Sequence, residues 1–296
     1  MASNYDVVVL GAGPGGYIAS IRAAQLGLRV CCVDEFKNES GQPSLGGTCL
    51  NVGCIPSKAL LESSENYEKV SHKFQEHGIH VKGISVNISE MLERKNKIVG
   101  QFTGGIGLLF KKNKVTSIHG RGQFVAKSNN GYEIEVHGDD GIEILKASNV
   151  VIATGSLPRP LPGLDIDNDL VCDNVGALSF DKVPKRLGVI GAGVIGLEMG
   201  SVWRRLGSEV TMLEAMSDFL SAVDHSISKE AKKIFTKNLG LKIFTGVNIK
   251  DVKTRKKTVE VSFDHDDREQ KILFDKLVVS IGRVPNSSNI GSENIG

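Results

Sequence analysis

Val7-Val8-Val9-Leu10-Gly11-Ala12-Gly13-Pro14-Gly15-Gly16 is a short apolar run followed by G-x-G-x-x-G. Leu187-Gly188-Val189-Ile190-Gly191-Ala192-Gly193-Val194-Ile195-Gly196 repeats the same pattern. Each motif leads into a stretch with helical spacing, Tyr17 to Leu26 and Leu197 to Leu206, closed by Gly27 and Gly207. Glycine is a common residue at a helix C-terminus. A second apolar run follows in each copy, 28–33 and 209–213, and ends on an acid, Asp34 or Glu214. The interval from the first glycine to that acid is the same in both copies.

This order of strand, glycine turn, helix, strand and acid has a physical reading. The first glycine (Gly11, Gly191) makes a tight turn, and the second (Gly13, Gly193) lets backbone approach a pyrophosphate. The third (Gly16, Gly196) lets helix and strand pack closely. The helix N-terminus presents N–H groups and partial positive charge to the phosphates. Asp34 and Glu214 would accept hydrogen bonds from a ribose. Glu214 favours a free 2′-hydroxyl, hence NAD over NADP. One such motif is weak evidence, because glycine turns are common, but two matched copies in full context argue for two βαβ dinucleotide sites.

The remaining sequence surrounds these units with ordinary globular material. The chain has 296 residues, 40% hydrophobic and 24% charged, enough for about two domains. A net charge of +2 is too mild to argue for a nucleic-acid or membrane partner. The N-terminus shows no basic region followed by an apolar one, so no secretory signal is expected. No apolar run approaches a membrane span. Five cysteines, an odd number, do not suggest a secreted disulfide framework. A reducing, cytoplasmic setting is expected.

Between the two copies, apolar spacing predicts helices over 57–77 and 89–112. Residues 114–146 alternate short β-type runs with Asn-Gly and Asp-Asp-Gly turns, which predicts an antiparallel meander. Val150-Val151-Ile152-Ala153 reads as a separate apolar strand ending at Thr154-Gly155, and prolines 158, 160 and 162 mark a linker. A second hairpin is expected near 247–274. Its basic run 250–257 is followed by acids, as on a solvated hairpin. The expected fold is α/β, with two Rossmann-like domains, one βαβ unit in each, and small antiparallel meanders. The expected boundaries are 1–155, with 281–296 returning to it, for the first domain and 156–280 for the second.

Gly46-Gly47-Thr48-Cys49-Leu50-Asn51-Val52-Gly53-Cys54-Ile55-Pro56-Ser57-Lys58 follows the first unit. The C-x-x-x-x-C spacing is about one helical turn, so the sulfurs can bridge if the turn is distorted. By spacing alone, the pair could equally be two buried thiols or half of a metal site, but no second Cys or His cluster completes a zinc set.

Taken with Gly11–Gly16, Gly191–Gly196 and Gly282-Arg283-Val284-Pro285-Asn286, this motif resembles the flavoprotein disulfide reductases. Leu50, Ile55, Ser57 and Ala59-Leu60-Leu61 resemble the dihydrolipoamide dehydrogenase branch more than glutathione or mercuric reductases. The resemblance covers essentially the whole chain. It implies FAD at the first site, on Gly11, Gly13, Gly16, Asp34, Gly47 and Thr48, with Gly122 and Thr154-Gly155 as further FAD-contacting turns. It implies NAD at the second site, on Gly191, Gly193, Gly196 and Glu214, with Gly282 near the nicotinamide. Cys54 would face the flavin and Cys49 would exchange with substrate. Lys58 would lie beside the flavin, paired with Glu198, although a lysine at a helix start and a glutamate on a helix are usually just solvated charges. Cys31, Cys32 and Cys172 are expected to be inert.

Family members carry a C-terminal dimerisation domain with a His-Glu base in a His-Pro-Thr context. None of the histidines here precedes Pro-Thr, so that domain and base are expected to be absent from these residues. The resemblance further implies a lipoylated acyltransferase component of a 2-oxo-acid dehydrogenase complex as partner, and a homodimer for the full-length protein. A noncatalytic FAD/NAD-binding fragment is the rival expectation for the chain as it stands.

Overall fold

The computed structural model describes residues 3–296. They divide into two compact units: residues through Ile55 with Lys97–Leu157 and Val284–Gly296, and Pro56–Asn96 with Pro158–Arg283.

The first unit opens with β1 (Ser3–Leu10), α1 (Pro14–Gln25) and β2 (Val30–Asp34). Then come α2 (Gly47–Val52), α3 (Cys54–Glu68) and α4 (Ile88–Asn113), the last two of which belong to it only in part. The chain continues through β3 (Thr116–His119), β4 (Arg121–Ser128), β5 (Gly131–Gly138) and β6 (Gly141–Ile152). These strands make one sheet of order β3-β2-β1-β6-β5-β4. β1 pairs in parallel with β2 and β6, and β2 with β3, while β4, β5 and β6 are antiparallel.

The unbroken apolar runs of β1 and β2 follow from burial on both faces. Val7, Val9, Val30 and Cys32 share a core with Leu50, Ile106 and Phe110. Val8, Leu10, Cys31 and Val33 share another with Phe124, Ile134, Val136 and Leu145.

Two expectations change here. Thr116–His119, read as part of the meander, pairs in parallel with β2. The runs at 142–144 and 150–152 are one twelve-residue strand, β6, not two. The intervening Leu-Lys-Ala-Ser-Asn contains no Gly or Pro to break it, and Leu145 and Ala147 are buried. β6 uses both edges, pairing Ala147 with Tyr132 on one side and Tyr5 on the other.

The second unit holds β8 (Val171–Cys172), α5 (Asn174–Ala177), β9 (Arg186–Ile190), α6 (Val194–Arg205) and β10 (Glu209–Glu214). It continues with α7 (His225–Lys233), β11 (Lys242–Thr245), β12 (Asn248–Thr254), β13 (Val259–His265), β14 (Arg268–Phe274) and β15 (Lys276–Val279). Short strands β7 (Ser156–Pro158) and β16 (Arg283–Pro285) pair with each other. The main sheet is parallel, of order β11-β10-β9-β15-β8. The region read as a hairpin is a three-stranded antiparallel sheet, β12-β13-β14.

Residues 56–96, expected in the first domain, cluster with this second unit. Leu60 and Met91 enter the same core as Trp203, Val202 and Leu206. Polar contacts support that packing. Arg94 Nη1 donates to the Ala59 carbonyl (3.1 Å), Lys95 Nζ to the Leu178 carbonyl (3.1 Å), and Arg205 Nε lies 3.2 Å from Glu68 Oε2. The helix expected over 57–77 begins earlier, at Cys54, and closes in a π turn (Lys69–Lys73) and a 3-10 turn (Phe74–His77).

Candidate functional site

The two glycine turns are built alike. Gly11 has φ +101, and a Cβ there would sit 2.2 Å from the Ala153 carbonyl oxygen. Gly191 has φ +97, and a Cβ would sit 2.5 Å from the Ser280 carbonyl oxygen. Both positions therefore require glycine, for conformation and for space. A Cβ on Gly16 would come 1.7 Å from the Gly11 carbonyl oxygen, and one on Gly196 2.2 Å from that of Gly191. The third glycine thus lets the helix start against the turn.

The second glycine of each motif is the N-cap of its helix, with no side chain capping it. Nothing lies within 4 Å of a Cβ position on Gly193, and Val194 beside it is 63% exposed. Uncapped N–H groups facing open space form a cradle that suits a phosphate.

The acids are also placed alike. Asp34 Oδ2 accepts from the Ala12 N–H (2.6 Å) and Oδ1 from the Phe36 N–H (3.0 Å). Glu214 Oε2 accepts from the Ala192 N–H (2.7 Å) and Oε1 from the Met216 N–H (2.9 Å). Each carboxylate is fixed against its glycine turn and keeps lone pairs for ribose hydroxyls. Burial pushes the Asp34 carboxyl above the usual aspartate value, opposed by those two N–H bonds and by the charge of His119. The residues present fit a dinucleotide at both turns.

The cysteine segment packs on the first turn. The Gly46 N–H donates to the Ala12 carbonyl (2.9 Å). A Cβ on Gly47, which has φ +58, would lie 2.6 Å from Gly13 Cα. α2 and α3 are separated only by Gly53, at φ −142 and ψ −112. A Cβ on Gly53 would meet the Thr48 carbonyl oxygen at 2.9 Å. This break interrupts the helix between Cys49 and Cys54. Cys49 is half-buried and Cys54 exposed. Burial pushes the Cys31, Cys32 and Cys172 thiols up to about 12, so they are not nucleophiles at neutral pH.

Lys58 lies one helical turn along α3 from Cys54. In the second unit its Nζ is 2.5 Å from Glu198 Oε1, with Lys58 61% and Glu198 21% exposed. Thr154 and Gly155 follow β6, and Gly155 has φ +74. Their carbonyls accept from the side chain and backbone N–H of Asn286. Gly122 lies within strand β4, not in a turn, and a Cβ there would come 2.6 Å from Leu10 Cδ2. Gly282, with φ +111, follows β15 in the second unit.

Three residues have structural roles that the sequence does not assign. Asn51 Nδ2 donates to the Leu45 and Gly47 carbonyls, and its Oδ1 accepts from Ser44, tying the glycine loop to the cysteine helix. Ser280 Oγ donates to the Ile190 and Gly191 carbonyls beneath the second turn. Asn286 ties down the Thr154-Gly155 turn. A polar residue inside the cysteine motif was the only available signal for Asn51. Ser280 and Asn286 lie far along the chain from their partners.

The family model for pyridine nucleotide-disulphide oxidoreductases matches residues 5–296. The chain belongs to that family. It is 55% identical to a dihydrolipoyl dehydrogenase of Cupriavidus necator, over 100% of this chain and 62% of the relative. It is 44% identical to the mitochondrial dihydrolipoyl dehydrogenase of Schizosaccharomyces pombe, over 99% of this chain and 56% of the relative. The chain thus spans about three-fifths of the length of these relatives. Among solved structures, LpdA from Mycobacterium tuberculosis has the same fold (TM-score 0.87, 24% identity), over 100% of this chain and 62% of that one. The HOCl-induced flavoprotein disulfide reductase RclA from Escherichia coli, in its Cu(II) complex, matches with TM-score 0.81 and 25% identity, over 100% of this chain and 60% of that one. The α/β architecture with two Rossmann-like units is therefore that of the family. Among the described residues, no helix is long and apolar enough to cross a membrane, and no group of His, Cys, Asp and Glu could hold a metal ion.

Proposed function

We propose that this chain carries the FAD- and NAD-binding part of a dihydrolipoamide dehydrogenase. In the full-length protein it would oxidise the dihydrolipoyl groups of a 2-oxo-acid dehydrogenase complex. The observation that carries this reading is the seating of the cysteine helix on the first glycine turn, Gly47 against Gly13. It brings a thiol pair to the place where a dinucleotide would lie.

In this reading Gly11, Gly13, Gly16, Asp34, Gly47, Thr48 and the Thr154-Gly155 turn hold FAD, with Gly122 in the strand behind it. Gly191, Gly193, Gly196, Glu214 and Gly282 hold NAD. Bound there, the two cofactors supply two-electron transfer between a dithiol and a nicotinamide. Cys49 exchanges with the substrate thiols and Cys54 is its redox partner. Exchange proceeds by thiolate attack on a disulfide sulfur. Lys58 supplies positive charge one turn from Cys54, and Glu198 fixes the ammonium. The lipoylated acyltransferase component is the partner, the full-length protein is a homodimer, and the setting is cytoplasmic.

The test is the visible absorption of the chain incubated with FAD, before and after dithiothreitol. A bound-flavin spectrum with a new long-wavelength band on reduction, lost in Cys54→Ser, is expected. FAD that passes straight through a desalting column would overturn the assignment of the first site in this chain.

A further inference from the structure

We propose that Arg159 is a binding residue of the second dinucleotide site, and that its charge makes the site favour the reduced, uncharged nicotinamide over the oxidised, cationic one. This rests on the reading of that site as an NAD site.

Sheet order fixes which way a dinucleotide must run. In the order β11-β10-β9-β15-β8, β10 lies on one side of β9 and β15 on the other. The glycine turn follows β9, and Glu214 ends β10. A dinucleotide with its pyrophosphate at the turn and its adenosine ribose on Glu214 therefore sends its other half over the end of β15. Adjacent strands are about 4.8 Å apart, so β10 and β15 are within the reach of one such molecule. Ser280, just past β15, is bound to the turn itself through its N–H to the Ile190 carbonyl (2.8 Å). Gly282 is two residues further on.

Arg159 is held at that spot. Its backbone N–H donates to the Gly282 carbonyl (2.9 Å). A Cβ on Gly282 would find only one neighbour within 4 Å, Arg159 Nε at 3.7 Å. The guanidinium thus borders the space that Gly282 leaves open. Arg159 is exposed. Among the described residues, no carboxylate lies within ion-pair distance of Arg159.

A guanidinium stays protonated at any working pH and stacks on planar rings. The two redox states of nicotinamide differ by one positive charge on the ring. Arg159 therefore repels the oxidised ring and not the reduced one. The effect is modest, because water screens an exposed charge.

The chain itself serves for the test. NADH is titrated by fluorescence, and NAD⁺ by competition, against the wild type, Arg159→Gln and Arg159→Lys. Arg159→Gln should bind NADH less tightly and lose about threefold of the preference for NADH over NAD⁺. Arg159→Lys should keep most of that preference, and added salt should shrink it in the wild type. An unchanged NADH/NAD⁺ ratio in Arg159→Gln, with wild-type binding intact, overturns the role of Arg159 alone. A wild-type chain that binds neither nucleotide overturns the reading of the second site beneath it.

Discussion

Asp34 shows what a single side chain does in this molecule. It anchors the end of β2 to the glycine turn through two backbone N–H groups, at the expense of burying a charge. Its folded pKa is raised above the ordinary 3.8, with burial as the largest cause. A raised carboxyl contributes stability that is fully present below its unfolded pKa and lost as pH rises through its folded value. Asp34→Asn removes this dependence and leaves one backbone N–H without an acceptor. Urea unfolding should therefore show the variant less stable than wild type, with a gap larger at pH 4 than at pH 7. A gap that widens toward pH 7 would contradict the sign. The acid was legible from its interval after Gly11, but its two N–H partners were not. Ala12 meets it only once β1 and β2 are side by side.

At the scale of the element, the deciding feature is the break between α2 and α3. A continuous helix from Gly47 would fix the cysteines at ideal helical spacing. Gly53 interrupts it, and only glycine avoids the Thr48 carbonyl there. Gly53→Ala should force the two helices apart or into one, costing about 1–2 kcal/mol of stability. It should also slow closure of the Cys49–Cys54 disulfide under a glutathione buffer, read by thiol counting over time. Unaltered closure kinetics would mean that the break does not set the thiol geometry. The elements themselves differed in legibility. Helix 89–112 was found to within a residue at each end, because its apolar spacing is regular. β6 was split in two, because a Lys-Ala-Ser-Asn stretch looks like a loop until a paired strand on each edge claims its backbone.

At the scale of the whole molecule, the second unit is discontinuous in sequence. Its core around Trp203 draws on Leu60 and Met91 as well as on residues after Pro158. Trp203 is fully buried and is the chain's only tryptophan. A fragment of residues 156–296 keeps both strands and helix of the second glycine motif but lacks 56–96. It should show red-shifted tryptophan emission and a broad urea transition, because large apolar side chains missing from a core typically cost about 2–5 kcal/mol each. Blue-shifted emission with a sharp transition would show that the second core closes without 56–96. The linear cut near 155 followed from the prolines and the return of the glycine motif, both local signals. Membership of 56–96 depends on which core its apolar face meets, and helical spacing gives the face without the partner.

The sequence by itself determined the two βαβ units, their glycines and acids, and the cysteine pair. These are local patterns in which the chemistry dictates residue type at short, fixed spacing. Only the tertiary structure decided the seating of Gly47 on Gly13, the bonds from Asn51, Ser280 and Asn286, the double pairing of β6, and the place of Arg159 over Gly282. Each of these joins residues distant in sequence, or depends on the path of the backbone between them. Such contacts arise from strand order and packing, and no spacing along the chain encodes them.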